Sequence, residues 1–286
     1  MSDPLAGGAL RGLLLGVIER RHPPGYRGAV VEKLVPLLRE TGARVELVHA
    51  ELGMHRLDEA PPWDLVLLKS GSTAALHLAA AAEGWGVPSV NPAEATRLAQ
   101  DKLAGASILQ SAGLPIAPAY TAWLGPTDAA DGEKALGALG DRPVVVKAAR
   151  GSRGVGLWTA EAGELKDLAA KLPAGPYLIM EMVPHVGDDL KVYVAGGWMA
   201  AIERPFPATS LEEKLGRPAD VPDEVAKATR EAGRLLGLTC YGCDFVRGQD
   251  GWVMVDVNAF PGYKGVDGAA EALVEEISRA TEVVLR

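Results

Sequence analysis

The first part of the chain alternates between short apolar runs and longer segments whose apolar residues recur at helical spacing. Residues 11–18, 44–49, 64–69 and 86–90 predict strands, and residues 25–41 and 73–82 predict helices. This alternation predicts a small, mostly parallel sheet with right-handed crossovers. Because ligands bind beyond the carboxyl ends of such strands, Arg20 and Lys69, which follow or end the first and third strands, are candidates for binding an anion. The alternative for Lys69 is a side chain that merely extends from a strand end into solvent.

A glycine-rich loop follows the next clear strand. The strand, residues 143–147, ends in Lys147, and residues 150–156 read Arg-Gly-Ser-Arg-Gly-Val-Gly. Backbone N–H groups in such a loop can face phosphate oxygens. The loop lacks the Gly-Lys-Ser/Thr of a P-loop, and a strand rather than a helix follows it, which excludes a dinucleotide fingerprint. A strand, a glycine loop and a second strand predict a hairpin flap.

Two further segments with alternating apolar residues are joined by a pair of glycines, which is typical of a hairpin. Pairing residues 189–195 with residues 198–204 places Asp189 opposite Arg204. Lys191 and Arg204 then share one face as diagonal neighbours, which favours an anionic ligand beside them. The alternative is an ordinary exposed ion pair between Asp189 and Arg204, which contributes little to stability.

The most informative stretch is residues 252–266. Its valines alternate with polar residues that include Asp256 and Asn258, which predicts a strand with an apolar face against a core and a second, polar face. A turn joins it to a strand predicted over residues 241–247, and this hairpin places Asp244 opposite Asp256. Facing carboxylates repel each other, and Mg²⁺, which prefers oxygen ligands, removes that penalty. The alternative is that both carboxylates face solvent on an outer sheet surface.

Composition narrows the class of protein. The chain has 286 residues, of which 48% are hydrophobic, and a net charge of −8, which argues against a general nucleic-acid binder. No apolar run approaches the ~20 residues of a membrane span. Cys240 and Cys243 are spaced Cys-x-x-Cys but lie in a predicted strand, where they point to opposite faces. We interpret both as packing residues of a cytoplasmic protein.

These motifs fall in the order typical of the ATP-grasp superfamily, which the chain resembles from about Leu13 to its final helix. The resemblance implies an α/β (α+β) fold in which two α+β subdomains grip ATP between antiparallel sheets. It implies three parts: an N-terminal substrate domain (1–92), a central subdomain with the glycine flap (93–184), and a C-terminal subdomain with the magnesium site (185–286). The partners implied are a small anionic substrate and no nucleic acid or membrane, in a monomer or homodimer.

The resemblance also implies roles for individual residues. Magnesium, with Mn²⁺ as the alternative ion, is assigned to Asp244, Asp256 and Asn258. Lys191 and Arg204 stabilise charge on the transferred group. The residues that resemble ATP contacts are Lys102, in a helix predicted over residues 91–111, Lys147, the flap residues Gly151, Ser152 and Gly154, the adenine hinge Glu181, Met182 and Val183, Asp189 near the ribose, and Met254 under the adenine. Those that resemble contacts to the acceptor are Arg20, Lys69, Arg153, Gly262 and Lys264.

Two branches of the superfamily compete. The stretch from Gly86 through Lys102 to Pro115, together with the flap, resembles RimK-type ligases, which join a carboxylate to an amine through an acyl phosphate. Residues 258–266, 64–69 and 190–194 are more similar to inositol polyphosphate kinases, with lysines at positions where ligases tend to carry arginine. The flap region lacks the histidines of that kinase branch. The sequence favours the ligase, with a small-molecule kinase as the alternative and a non-catalytic nucleotide-binding module as the third reading.

Overall fold

The computed structural model describes residues 8–21, 30–126, 142–152, 155–184, 187–206, 208 and 210–284. It divides into two compact units. Unit 1 comprises Met1–Arg97, Asp188–Asp244 and Asp256–Arg286, and unit 2 comprises Leu98–Gly187 and Phe245–Val255. The predicted division into three subdomains stays a prediction.

The described residues form three sheets and the helices that pack on them. The strands are β1 (Leu14–Ile18), β2 (Arg44–Val48), β3 (Leu65–Leu68), β4 (Ser89–Val90), β5 (Ala119–Leu124), β6 (Val144–Ser152), β7 (Val155–Ala160), β8 (Gly175–Glu181), β9 (Asp189–Ala195), β10 (Trp198–Arg204), β11 (Arg217–Ala219), β12 (Cys240–Gly248) and β13 (Gly251–Ala259). The helices are α1 (Val31–Glu40), α2 (Thr73–Gly84), α3 (Ala93–Gln100), α4 (Lys102–Ser111), α5 (Leu165–Ala169), α6 (Leu211–Leu215), α7 (Asp223–Leu236) and α8 (Ala269–Val284).

Unit 1 contains the predicted parallel sheet, with strand order β2-β1-β3-β4. Strand β1 pairs with β2 and with β3, and β3 pairs with β4, and all three pairings are parallel. All four residues of β3 are buried, as expected for a central strand covered on both faces. Helix α1 buries Val31, Leu34, Val35 and Leu38, which share one face at helical spacing. The prediction for this sheet is confirmed.

The second sheet has the strand order β11-β10-β9-β12-β13. In the β9–β10 hairpin Lys191 pairs with Ile202 and Asp189 with Arg204, so the predicted register is confirmed. In β13 the expected apolar face is only partly buried. Val257 is buried, but Val253 and Val255 are half-exposed, whereas Met254 on the other face is 1% exposed. The backbone N–H of Met254 donates to Pro115 O at 2.7 Å, so residues 115–116 lie beside β13 at this point.

Unit 2 contains an antiparallel sheet with strand order β5-β8-β6-β7. The pairing of β6 with β7 confirms the predicted hairpin of strand, glycine loop and strand. The helix predicted over residues 91–111 is wrong as a single element, because it ends at Gln100 and restarts at Lys102. Asp101 causes the break: its carboxylate accepts from the N–H groups of Leu103 and Ala104 and caps α4. Strand β5 lies at a sheet edge and was not predicted.

Both cysteines are buried and free, which confirms their interpretation as packing residues. Burial raises the pKa of the Cys240 and Cys243 thiols well above the ordinary value, so both are protonated and unreactive at neutral pH. Among the described residues, no helix is long and apolar enough to span a membrane.

Candidate active site

The predicted metal ligands come together in unit 1. The side-chain nitrogen of Asn258 lies 3.3 Å from Asp244 Oδ2 and 3.2 Å from Asp256 Oδ2, and donates to both. The NH2 group of Asn258, which carries a partial positive charge, therefore lies between the two carboxylates. In the part of the chain that the structure describes, no three His, Cys, Asp or Glu side chains form a metal-type cluster, so the third ligand of this set is an amide.

This donor set fits Mg²⁺. The ion takes carboxylate and amide oxygens, and the two carboxylates already converge on one point. The amide of Asn258 presents its nitrogen there, but the oxygen and nitrogen of an amide exchange places by a half-turn of the group. Asn258 can therefore donate a hydrogen bond to the carboxylates or offer its oxygen to a cation.

Two cations flank Asp244. The Lys191 ammonium donates to Asp244 Oδ1, and the Arg204 Nη2 atom lies 3.9 Å from the same oxygen. Burial lowers the pKa of Lys191 and is the largest single influence on it, but the charge and hydrogen bond of Asp244, together with Tyr193, raise the pKa above its ordinary value. Lys191 is therefore a permanent cation. The predicted pairing of Lys191 and Arg204 on one face is realised in unit 1.

Asp189 is engaged by Arg204. Its two carboxylate oxygens accept from Arg204 Nε at 2.8 and 3.1 Å and from Nη2 at 2.8 Å. Asp189 is 1% exposed, so this pair is not the exposed ion pair that was the alternative prediction. The fork fixes the guanidinium beside Asp244. The ribose role of Asp189 stays a prediction.

An aromatic cluster (Tyr193, Phe260 and Tyr263) connects these charges to the end of β3. The Tyr193 and Tyr263 ring centroids lie 5.4 Å apart, and those of Phe260 and Tyr263 lie 6.4 Å apart. Lys191 Nζ lies 5.7 Å from the Tyr193 ring centroid, and Lys69 Nζ lies 5.8 Å from that of Phe260. Two lysines therefore contact one aromatic cluster.

Lys69 lies at the carboxyl edge of the parallel sheet, as predicted. Burial of its ammonium group, with smaller contributions from Arg20 and Lys264, lowers the pKa of Lys69 to about 8, whereas Glu19 acts in the opposite sense. The side chain is only partly exposed, so the alternative of a lysine extended into solvent is not what the structure shows. Lys69 therefore interacts electrostatically with two other cations, Arg20 and Lys264, and with one carboxylate, Glu19. Glu19 is buried and was not among the predicted site residues.

In the loop after β13, the glycine that the fold requires is Gly265 rather than Gly262. Gly265 has φ of +76°, and a methyl group on it would lie 1.8 Å from the Leu215 carbonyl oxygen. A methyl group on Gly262 would meet only Lys264 side-chain carbons at 3.6 Å, an ordinary contact. Gly265 was not singled out from the sequence, because the contact that requires a glycine there comes from Leu215, 50 residues earlier.

Gly265→Ala is therefore expected to lower the free energy of unfolding by about 2–3 kcal/mol, because the loop must shift to relieve the overlap. Gly262→Ala is the matched control and should change it by less than about 1 kcal/mol. Denaturant unfolding of the two variants checks this. Equal stability of the two would show that the loop does not need the conformation described for Gly265.

Several residues that are predicted to bind the nucleotide lie in unit 2. Lys147 Nζ donates to Val255 O at 2.7 Å. Lys102 is the first residue of α4. The Glu181 carboxylate accepts from Arg142 at 2.6 Å, and the Met182 N–H donates to Pro143 O at 2.8 Å, within the predicted hinge that ends at Val183. These roles stay predictions.

The predicted flap residues are only partly within the described chain. Gly151 and Ser152 are the last residues of β6, and Ser152 pairs with Val155 of β7. Arg153 and Gly154 lie outside the described residues.

The family model for the inositol 1,3,4-trisphosphate 5/6-kinase ATP-grasp domain matches residues 208–279. Over 270 residues the chain is 29% identical to a probable alpha-L-glutamate ligase of Thioalkalivibrio sulfidiphilus, covering 89% of this chain and 85% of that protein. It is 26% identical to a probable alpha-L-glutamate ligase of Methanococcoides burtonii over 93% of this chain and 91% of that protein.

Solved structures with this fold include a RimK domain ATP-grasp protein from Sphaerobacter thermophilus, with a TM-score of 0.72 and 18% identity over 93% of this chain and 98% of that one. A D-cycloserine synthetase has a TM-score of 0.73 and 18% identity over 94% of this chain and 99% of that one. The described residues therefore have the ATP-grasp fold.

Within the ATP-grasp superfamily the chain is similar to the RimK-like ligases. The predicted fold class is thereby confirmed. The likeness to probable alpha-L-glutamate ligases supports the predicted superfamily and the prediction of an ATP-dependent ligase.

Proposed function

We propose that the protein is a carboxylate–amine ligase that activates a small anionic acceptor with MgATP through an acyl phosphate. The observation that carries this proposal is the constellation of Lys191, Asp244, Asp256 and Asn258, in which two carboxylates, one amide and a permanent cation meet in unit 1. The similarity to probable alpha-L-glutamate ligases supports a ligase reaction. The match to the kinase family model supports phosphoryl transfer from ATP.

In this proposal Asp244, Asp256 and Asn258 hold Mg²⁺, which neutralises the phosphate oxygens of ATP when bound. Lys191 and Arg204 stabilise charge on the transferred phosphoryl group. Arg204 needs its fork to Asp189 to keep its guanidinium in place, because an unpaired arginine has many rotamers.

The ATP phosphates are assigned to Lys102, Lys147, Gly151, Ser152 and Gly154, and the adenine to residues 181–183 and Met254. Lys147 already binds a backbone carbonyl in unit 2, which limits the positions its ammonium can take.

The acceptor is assigned to the carboxyl edge of the parallel sheet, where Arg20, Lys69 and Lys264 converge. Gly262 and Arg153 complete the proposed set. An anion there reduces the mutual repulsion of three cations, which is the physical reason to expect a negatively charged acceptor.

The proposed reaction has two steps. An acceptor carboxylate oxygen attacks the γ-phosphorus of ATP, the bond to the β,γ-bridging oxygen breaks, and ADP leaves. The amine nitrogen then attacks the acyl carbon, the carbon–oxygen bond to the phosphate breaks, and inorganic phosphate leaves with the former carboxylate oxygen. The amine loses one proton to solvent.

The test is a screen of small carboxylates paired with amines, in which ADP and inorganic phosphate are both quantified. The proposal expects equal amounts of ADP and phosphate, which appear only when carboxylate and amine are both present. Hydroxylamine in place of the amine should give a hydroxamate. ADP without phosphate, together with a phosphorylated acceptor, would instead support the kinase reading, which the matched kinase family model and the lysines at positions 69 and 191 favour.

Binding of the acceptor should depend on pH through Lys69. Its folded-state pKa of about 8 means that the ammonium is charged below that pH and neutral above it. We therefore expect the KM for the acceptor identified in the screen to rise about tenfold for each pH unit above 8, the slope of a single titrating group. Lys69→Arg is the matched control, because arginine stays charged and should flatten the profile. An unchanged profile in Lys69→Arg would remove Lys69 from the acceptor site.

A further inference from the structure

Asn91 is a buried polar residue to which the proposed reaction gives no role. It precedes α3 and is 0% exposed, yet both the oxygen and the nitrogen of its side chain make hydrogen bonds. Its Oδ1 accepts from the N–H groups of Thr239 and Cys240, both at 2.9 Å, and its Nδ2 donates to Cys240 O at 2.6 Å. The Asn91 side chain thus pairs with a strand end in the way a neighbouring strand would.

The same short segment is held from two other directions. The Cys240 carbonyl also accepts from Phe260 N at 2.8 Å, and the Thr239 carbonyl accepts from Gly196 N at 2.9 Å. Phe260 follows the end of β13, and Gly196 lies in the turn of the β9–β10 hairpin. The start of β12 is therefore a junction that both hairpins share.

The charged constellation projects from these hairpins. Asp244 lies four residues after Cys240, about 13 Å along an extended strand. Asn258 lies two residues before Phe260, and Lys191 lies on the hairpin that turns at Gly196. A shift at the junction changes the position of each of these groups, because strands transmit displacement along their length.

We infer that Asn91 is a positioning residue, which sets the geometry of Asp244, Asp256 and Asn258 by fixing the junction at Thr239 and Cys240. The inference rests on the proposed metal-binding role of those three residues. Asparagine suits the position because it supplies an acceptor for two N–H groups and a donor for a carbonyl in one short, planar side chain. Alanine leaves all three backbone groups buried with fewer partners.

The test measures binding of Mn²⁺ in the presence of ADP, by electron paramagnetic resonance, so that it needs no acceptor and no turnover. The variants are Asn91→Ala and Asn91→Ser, the serine keeping one hydroxyl that can accept from a junction N–H. The matched control is Tyr241→Phe, which removes another buried hydrogen bond of β12, from the Tyr241 hydroxyl to Thr229 O at 2.9 Å, and leaves the backbone groups of Thr239 and Cys240 with their partners. Melting temperatures are recorded for each variant.

We expect the Mn²⁺ dissociation constant to rise about tenfold or more in Asn91→Ala and less in Asn91→Ser. Tyr241→Phe should melt at a lower temperature than the wild type but keep the wild-type Mn²⁺ dissociation constant. Wild-type Mn²⁺ binding in a folded Asn91→Ala or Asn91→Ser variant, below its melting temperature, would overturn the inference, as would an equal loss in Tyr241→Phe. If Asn91→Ala does not fold, Asn91→Ser decides. A fourth variant, Asp256→Ala, tests the proposed metal-binding role separately from the role of Asn91. If Asp256→Ala binds Mn²⁺ as the wild type does, the metal assignment itself is wrong.

Discussion

Asp256→Ala is expected to give a folded protein whose ATP-dependent turnover is lower by about 1,000-fold, the scale of losing a main electrostatic stabiliser of a transition state. Asp256 is partly exposed, so its loss leaves no buried cavity. It removes one of two carboxylates that converge on Asn258, while the other, Asp244, is already neutralised by Lys191. What remains is a site with too little negative charge to hold a divalent cation.

The matched control for this variant is Asp250→Ala, because Asp250 is exposed in the turn of the same hairpin. Turnover by Asp250→Ala should stay within about twofold of the wild type, since exposed charges contribute little. Turnover at several Mg²⁺ concentrations, with circular dichroism to verify folding, gives the measurement. Wild-type turnover in Asp256→Ala would remove the metal assignment.

The second large effect is expected from Lys191→Met. The substitution keeps the length of the side chain but removes the cation that lies against Asp244. We expect kcat to fall about 100-fold or more, with a smaller change in ATP affinity, because the role proposed for Lys191 is to stabilise charge that develops on the transferred group. Turnover at saturating ATP, with ADP affinity measured separately, distinguishes a loss of kcat from a loss of nucleotide affinity.

Lys191→Met should also lower the free energy of unfolding. Lys191 and Asp244 form a pair in which both side chains are 12% exposed, and removing one partner leaves a carboxylate in a mostly buried site. A loss of about 3 kcal/mol is expected, and added Mg²⁺ should restore part of it. Lys227→Met, on the exposed face of α7, is the control. It should neither lower the free energy of unfolding nor make that free energy depend on Mg²⁺. A collapse of ATP affinity with unchanged kcat would place Lys191 in the nucleotide site instead.

Much of the fold could be predicted because local signals agreed with tertiary structure. Helix α7 carries a local signal at each end, since proline precedes it and Gly237 ends it in the left-handed conformation. The β9–β10 register followed from two adjacent glycines and the period of the strands. Where one short turn fixes the pairing, a sequence determines which side chains share a face.

The errors have a common physical origin. The break at Asp101 depends on one carboxylate that caps a helix instead of facing solvent, and periodicity carries no sign of that choice. The backbone partner of Met254 is Pro115, which lies more than a hundred residues earlier. Asn91 likewise gains its partners only when β12 folds against it. Long-range contacts of single residues are the information that a pattern along the chain lacks.

The central claim is that an acceptor carboxylate becomes an acyl phosphate before the amine attacks it. The most direct measurement uses the acceptor found in the screen, with both carboxylate oxygens labelled as oxygen-18, and mass spectrometry of the inorganic phosphate released. The account predicts one labelled oxygen in each phosphate, since the carboxylate oxygen leaves with the phosphorus. Unlabelled phosphate, with both labelled oxygens retained in the acceptor or product, would contradict it.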